Sequence, residues 1–279
     1  VEKQRDELPV MRPGDIERAK QERAIKAKLS RIKRKVLVMS GKGGVGKSTV
    51  AAYLAVMLSR KGWKVGLVDV DLHGPSIPRL LGIQGGFQIT KGTVHALSFS
   101  ENLKVSSLEM ALANRDTAVI WRGTLKMAAV KQYLCDLEWG DLDFLVIDSP
   151  PGTGDEPLTV AQMIPDAEAL IVTTPQEISL ADVRKSINFC HKVHIKILGV
   201  VENMSGFFCP HCREKIRIFG EGGGQKMAAG MGVPMLGEIP IDQKMVDSGD
   251  TGQLAALADE PGLDINVAYL KIVDKIERG

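Results

Sequence analysis

Gly41-Lys42-Gly43-Gly44-Val45-Gly46-Lys47-Ser48-Thr49 fits the phosphate-binding pattern G-x-x-x-x-G-K-[ST], and its reading decides the fold. Glycines let backbone N–H groups curl around phosphate oxygens, because no side chain blocks their approach. Lys47 then reaches the outer phosphates, and the Ser48 hydroxyl serves a magnesium ion held between them. The flanks agree: Val36-Leu37-Val38-Met39 reads as a buried strand, and Thr49 to Arg60 as a helix aiming its positive end at a triphosphate. A loop of this kind does not need a second lysine, so Lys42 stands out.

Working outward, Trp63 to Asp71 reads as a second strand closed by two aspartates, which alternation points the same way if the strand runs through both. Carboxylates at the carboxyl ends of strands border the ligand crevice of an open α/β sheet. Asp71 is therefore the candidate for holding the attacking water and Asp69 for supporting the metal shell; the alternative is that both cap the turn that follows. Phe144-Leu145-Val146-Ile147-Asp148 is another apolar strand closed by an acid, and Asp148 would bind a metal-coordinated water and accept a hydrogen bond from Ser48. Ser149 to Asp155 is stiff at its prolines and free at its glycines, which suits a loop with two positions set by the γ-phosphate.

Beyond these motifs the chain alternates: helices over 124–137, from Leu158, and over 180–192, with strands over 169–173 and 197–201. This predicts an α/β P-loop NTPase, a doubly wound, mostly parallel sheet flanked by helices, in a single domain with a CxxC loop. Residues 79–117 are poorly periodic, with short strands expected at 87–89 and 103–106. Residues 1–33 read as a loose leader and basic helix, 34–258 as the ATPase domain and 259–279 as a C-terminal helix. The basic helix is expected over 16–35, with Ile25, Leu29 and Ile32 on one stripe.

A chain of 279 residues, 44% hydrophobic, is long enough for one large core. Its formal charge of +2 gives no argument for nucleic acid, and no apolar run approaches the ~18 residues of a membrane span. Without a signal-like segment after Val1, a cytoplasmic location is expected. The four cysteines are too few for a disulfide framework.

Asn203 follows a predicted strand and matches the donor and acceptor edge of adenine, although a plain turn asparagine explains it equally well. Cys209-Pro210-His211-Cys212 has the spacing with which two thiolates grip one metal atom. Zinc and iron-sulfur centres usually want four ligands. A dithiol switch, completion by Cys135 or Cys190, and sharing across a two-fold axis between two copies all remain open, the last being favoured. Phe207 and Phe208 would then rim the centre.

These residues together resemble the Mrp-type iron-sulfur cluster carriers (the ApbC and Nbp proteins among them), P-loop ATPases with a deviant Walker A lysine in the MinD/ParA-like superfamily. The resemblance spans about residues 34–258. It rests on Gly41 to Ser48, Asp69 to Ser76, Trp121-Arg122-Gly123, Asp148 to Asp155, Glu202-Asn203-Met204, Cys209 to Cys212, Phe219 to Gly224 and Gly237 to Asp242. It implies a homodimer that binds ATP with Mg2+ and holds a labile cluster, of the 4Fe-4S type, on Cys209 and Cys212 of each copy. Lys42 is implied to reach the partner's nucleotide as a catalytic residue beside Lys47 and Asp71. Asn203, with Pro240 to Asp242, is implied to frame the adenine, and apo iron-sulfur proteins are the implied recipients. Three rivals remain: a partitioning or septum-positioning ATPase, an electron-transfer ATPase of the nitrogenase iron-protein kind, and a zinc-bridged dimer. Ser149 to Glu156 lacks the cysteine that the second requires, and residues 263–278 balance their charges, unlike a basic membrane-seeking helix.

Overall fold

Apolar runs covered on both faces become the strands of one parallel sheet. The structure, a computed structural model, describes residues 23–71, 74, 76–86, 88–90, 93–111 and 123–279. Residues 1–22 of the leader and basic helix, Leu72, His73 and Pro75 of the Asp69 to Ser76 motif, Phe87, and Trp121-Arg122 lie outside the described residues.

The strands are β1 (Ile32–Ser40), β2 (Val65–Asp69), β3 (Gln88–Thr90), β4 (Thr93–His95), β5 (Leu97–Ser98), β6 (Leu103–Ser107), β7 (Leu137–Glu138), β8 (Leu142–Asp148), β9 (Glu168–Thr173), β10 (Lys196–Phe208), β11 (Lys215–Ile216) and β12 (Met235–Ile241). The helices are α1 (residues 23–29), α2 (Lys47–Arg60), α3 (Ile77–Leu80), α4 (Gly123–Asp136), α5 (Asp155–Met163), α6 (Glu177–Lys192), α7 (Gly223–Met231), α8 (Gln243–Asp250) and α9 (Asp264–Arg278).

The main sheet runs β11-β10-β9-β1-β8-β2-β6-β5, with β12 added to β10. Pairing is parallel from β10 through β6 and antiparallel at the β5 and β11 ends. Alternation within each strand feeds two separate cores. Val36, Val38, Phe144, Val146, Leu170 and Val172 face α2 and α9. Leu37, Met39, Leu145, Ile147, Ala169 and Ile171 face the other helix layer, with Ile25, Val130, Val183 and Met227. α9 belongs to the first core: its stripe Ile265, Tyr269, Ile272, Val273 and Ile276 is buried, and the Tyr269 ring meets Tyr53 of α2 edge-on at 4.8 Å.

Two expectations are corrected. The basic helix does not run to Lys35: Ser30 and Arg31 turn the chain, and Ile32 pairs with Leu142 as the start of β1. Ile25, Leu29 and Ile32 still share one core, although they lie on different elements. The strand expected over 197–201 runs on to Phe208, because β12 pairs with β10 from Val200 to Phe207 and supplies partners beyond the end of β9. Asn203, Phe207 and Phe208 therefore lie in a strand and not in a loop.

Candidate nucleotide and cysteine sites

The phosphate loop joins β1 to α2. Gly44 and Gly46 hold φ of 80° and 81°, a left-handed backbone that suits glycine. A Cβ at Gly43 or Gly44 would meet nothing within 4 Å, whereas at Gly41 it would collide with the backbone of Asp182. Gly41 is thus set by packing, while Gly43 and Gly44 border open space. Val45, 2% exposed, anchors the loop in the core. No side chain caps α2, so its first N–H groups remain for an anion.

β1, β2 and β8 end together, and strand register sets Asp69 beside Asp148. Lys47 is buried; its Nζ bonds Asp148 Oδ1, and lies 3.2 Å from Ser48 Oγ and 3.9 Å from Asp71 Oδ2. Burial, and then the Asp148 carboxylate, push Asp69 up to about 8. Burial also raises Asp148, opposed by the Lys47 charge. One lysine faces three carboxyl groups in a closed space, a surplus of acid that suits a divalent cation. Asp148 Oδ2 is buried without a hydrogen-bond partner among the described residues, as a carboxylate prepared for a metal or its water would be. No group of three or more His, Cys, Asp or Glu fit to hold a metal occurs among the described residues, so the other magnesium ligands would come from phosphate and water.

Asp69 is engaged differently from Asp148. Its Oδ1 accepts from the Asp71 N–H at 3.0 Å; its Oδ2 accepts from the N–H groups of Ser76 and Ile77 at 3.1 and 3.4 Å. β2 stops at Asp69, so Asp71 is carried by the turn that Asp69 braces. Lys42, the phosphate loop, Asp71, Gly74 and Pro151 line one cleft of about 250 Å3.

A second cavity of about 470 Å3 adjoins it, sharing Gly46 and Thr49. Asn203, Met204, Ile218, Phe219, Pro240 and Asp242 are among its lining residues, so the three residues expected at the adenine are gathered there. Asn203 Nδ2 already donates to the Val45 carbonyl at 2.9 Å, which leaves its oxygen for a ligand. Asp242 caps α8, accepting from the N–H groups of Lys244 and Met245.

Cys209 and Cys212 sit at the tip of the β10–β11 hairpin, Cys209 half-buried and Cys212 exposed. The tip is closed by Cys209 N–H to Glu214 O at 3.0 Å and Arg213 N–H to Cys209 O at 2.9 Å. Arg213 holds φ of 61°, lies over the Phe208 ring and pairs with Asp264 at 2.7 Å. Hydrogen bonds from the backbone N–H groups of Cys212 and His211, then from the Cys212 thiol, pull the Cys209 thiol below its ordinary value. Completion within one chain is overturned: Cys190 is buried in α6 with its Sγ 3.8 Å from Met39 Sδ, and Cys135 packs against the same core from α4.

Sequence reasoning missed Glu202. Its buried carboxylate accepts from Ser205 Oγ at 2.7 Å and from the N–H groups of Gly224 at 2.5 Å and Gly222 at 3.4 Å, at the start of α7. The signal was present as two motifs, Glu202-Asn203-Met204 and Gly222-Gly223-Gly224, whose contact only folding reveals.

Comparison with known proteins agrees with this geometry. A family model described as the NUBPL iron-transfer P-loop NTPase matches residues 31–277. The iron-sulfur cluster carrier protein of Methanocaldococcus jannaschii is 44% identical over 93% of this chain and 90% of its own length. The cytosolic Fe-S cluster assembly factor CFD1 of Kluyveromyces lactis is 48% identical over 90% and 93%. Among solved structures, the Archaeoglobus fulgidus nucleotide-binding protein in complex with ADP superposes with a TM-score of 0.75 at 39% identity, covering 86% of this chain and 94% of that one. The Pyrococcus furiosus cell division ATPase MinD gives 0.62 at 27% identity, covering 88% and 98%. With this loop, these strand-end acids and this extent of match, the chain belongs to the NUBPL iron-transfer P-loop NTPase family.

Proposed function

We propose that this chain is an ATP-hydrolysing iron-sulfur cluster carrier. The observation that carries the reading is a pair of thiols, one acidified by backbone N–H groups, on a hairpin whose strand also pins the phosphate loop. The cluster is cargo: Cys209 and Cys212 of two copies supply four sulfurs, matching the four-ligand demand of a 4Fe-4S centre. The names of the relatives, an iron-sulfur cluster carrier protein and an Fe-S cluster assembly factor, support this reading.

At the phosphate end, the loop N–H groups from Gly43 to Ser48 and the Lys47 ammonium bind the triphosphate, with the purine against Asn203, Pro240 and Asp242. Ser48 Oγ and Asp148 Oδ2 would hold Mg2+, which would supply positive charge to offset that of the phosphates. Asp71, beside Lys47 and braced by Asp69, orients the attacking water. Lys42, in the same cleft, reaches toward a facing copy's nucleotide and stabilises charge developed in the transition state. The recipients are apo iron-sulfur proteins, and the working location is the cytosol. Residues 34–258 carry this machinery, with 1–33 and 259–279 as flanking segments.

A membrane-docking role of the septum-positioning kind draws no support from α9, whose apolar stripe is already spent on the core. No helix among the described residues is long and apolar enough to cross a membrane.

Anaerobic reconstitution followed by iron, sulfide and zinc analysis tests the reading. Iron and acid-labile sulfide are expected in the unaltered protein and absent from Cys209→Ser/Cys212→Ser, while ATP binding persists. Stoichiometric zinc with no iron would overturn it in favour of a zinc-bridged dimer.

A further inference from the structure

Both feet of the cysteine hairpin stand in the wall of the 470 Å3 cavity. On the incoming foot, Asn203 and Met204 of β10 line it; on the outgoing foot, Ile218 and Phe219 do, just beyond β11. Asn203 also ties this foot to the phosphate loop at Val45, and a Cβ at Gly46 would overlap its amide. Glu202 anchors the same point of β10 to the start of α7.

Between this anchor and the cysteines the strand is irregular. Asn203 pairs with Ile239 and Phe207 with Ile241, so three residues of β10, Met204 to Gly206, lie opposite Pro240 alone. Pro240 offers no N–H to hold them. Met204 takes φ of 58°, uncommon for a residue with a long side chain, and Gly206 takes 82°. Gly206 also lies beneath Lys215 of β11, where a Cβ would come within 2.6 Å of Lys215 Cε. Past this bulge the hairpin is paired again, Phe207 with Ile216 and Phe208 with Lys215, and ends at Cys209.

We infer that the Met204–Gly206 bulge is a hinge through which filling of the purine cavity sets the position of the Cys209–Cys212 hairpin within a single chain. The step rests on the reading of that cavity as the base pocket, but requires neither a bound cluster nor a second copy. A purine seated among Asn203, Met204, Ile218 and Phe219 packs on both feet at once, and the bulge is where the strand lacks the ladder bonds that would resist a change of angle. The coupling is a difference in ligand affinity between two hairpin positions, so it acts equally in the reverse direction.

The test reads alkylation of Cys209 and Cys212 by mass spectrometry in cluster-free protein, with buried Cys190 as internal reference. Probes are adenosine, magnesium pyrophosphate and magnesium ADP, each at saturation. Adenosine and ADP are expected to change the rate in the same direction by about 5-fold, the low end of typical coupling, with pyrophosphate leaving it nearly unchanged. Gly206→Ala is expected to bind ADP with little loss and to lose the response. The inference is overturned if pyrophosphate alone reproduces the ADP effect, if no probe changes the rate, or if folded Gly206→Ala responds as the unaltered protein does. The three probes decide the matter on the unaltered chain should Gly206→Ala fail to fold. Cluster content, measured separately, distinguishes failure of the carrier reading from failure of the hinge.

Discussion

The phosphate end and the cysteine end of this molecule are built on opposite principles. At the first, Lys47, Asp69 and Asp148 are buried, and Lys47 and Asp69 are hydrogen-bonded to neighbours in their own chain. At the second, two thiols stand on a two-stranded tip, one of them exposed, with no third ligand from their own chain among the described residues. Burial strengthens electrostatic interactions and fixes geometry, as phosphate chemistry needs. A cargo that must leave needs the reverse, a ligand set that is open to a partner and incomplete alone. On the proposed reading, the difference makes the hairpin the delivery end and the carboxyl ends of the central strands the engine.

The sharpest way to break this contrast is to alter each end and look for damage at the other. Removing both thiols is expected to abolish iron binding and leave ATP affinity intact; loss of nucleotide binding in Cys209→Ser/Cys212→Ser protein would mean that the ends are not separable. Lys47→Ala should lower ATP hydrolysis by about 100-fold or more, the scale for losing a preorganised charge at developing negative charge. A steady-state ATPase assay on that variant with near-normal turnover would remove Lys47 from the chemistry.

Smaller effects sharpen the comparison. Tyr269→Ala leaves a cavity against Tyr53, at the wall of the 470 Å3 cavity, and is expected to destabilise by about 3–5 kcal/mol in urea unfolding, on the scale of aromatic truncation. Glu202→Gln weakens the charge-assisted bonds to Gly222 and Gly224 and is expected to cost about 1–3 kcal/mol; no change in the unfolding midpoint would mean that this carboxylate does not hold α7. The mildest expected effect concerns pH. In Cys212→Ser the backbone donors to Cys209 remain, so its alkylation midpoint should lie below the ordinary thiol value of 9.0, the thiolate persisting to lower pH. A midpoint at or above that value would remove the N–H nest from the account.

Much of the engine was legible in the sequence because it is local. Gly41 to Thr49 and the acids at 69, 71 and 148 lie at strand ends that a period-two or continuous apolar pattern reveals. The delivery end was less legible. The strand carrying Asn203 was read as ending at Val201, because its last residues owe their pairing to β12, which follows more than thirty residues later. The pattern carries the basic helix six residues past its end at Leu29, since Ile32 satisfies both a helical stripe and a strand that must bond Leu142. Alternation points Asp69 and Asp71 the same way only if the strand runs through both, yet β2 ends at Asp69 and leaves it bracing the turn that bears Asp71.

By itself the sequence determined the phosphate loop, the alternation that makes a parallel sheet, and the spacing of two cysteines, because each is encoded by neighbours along the chain. Only the tertiary structure decided that Asn203 clasps Val45, that Glu202 caps the glycine run opening α7, and that both feet of the cysteine hairpin enter one cavity wall. Those contacts join residues far apart in sequence. Their partners are chosen by sheet order and packing, which no local pattern specifies.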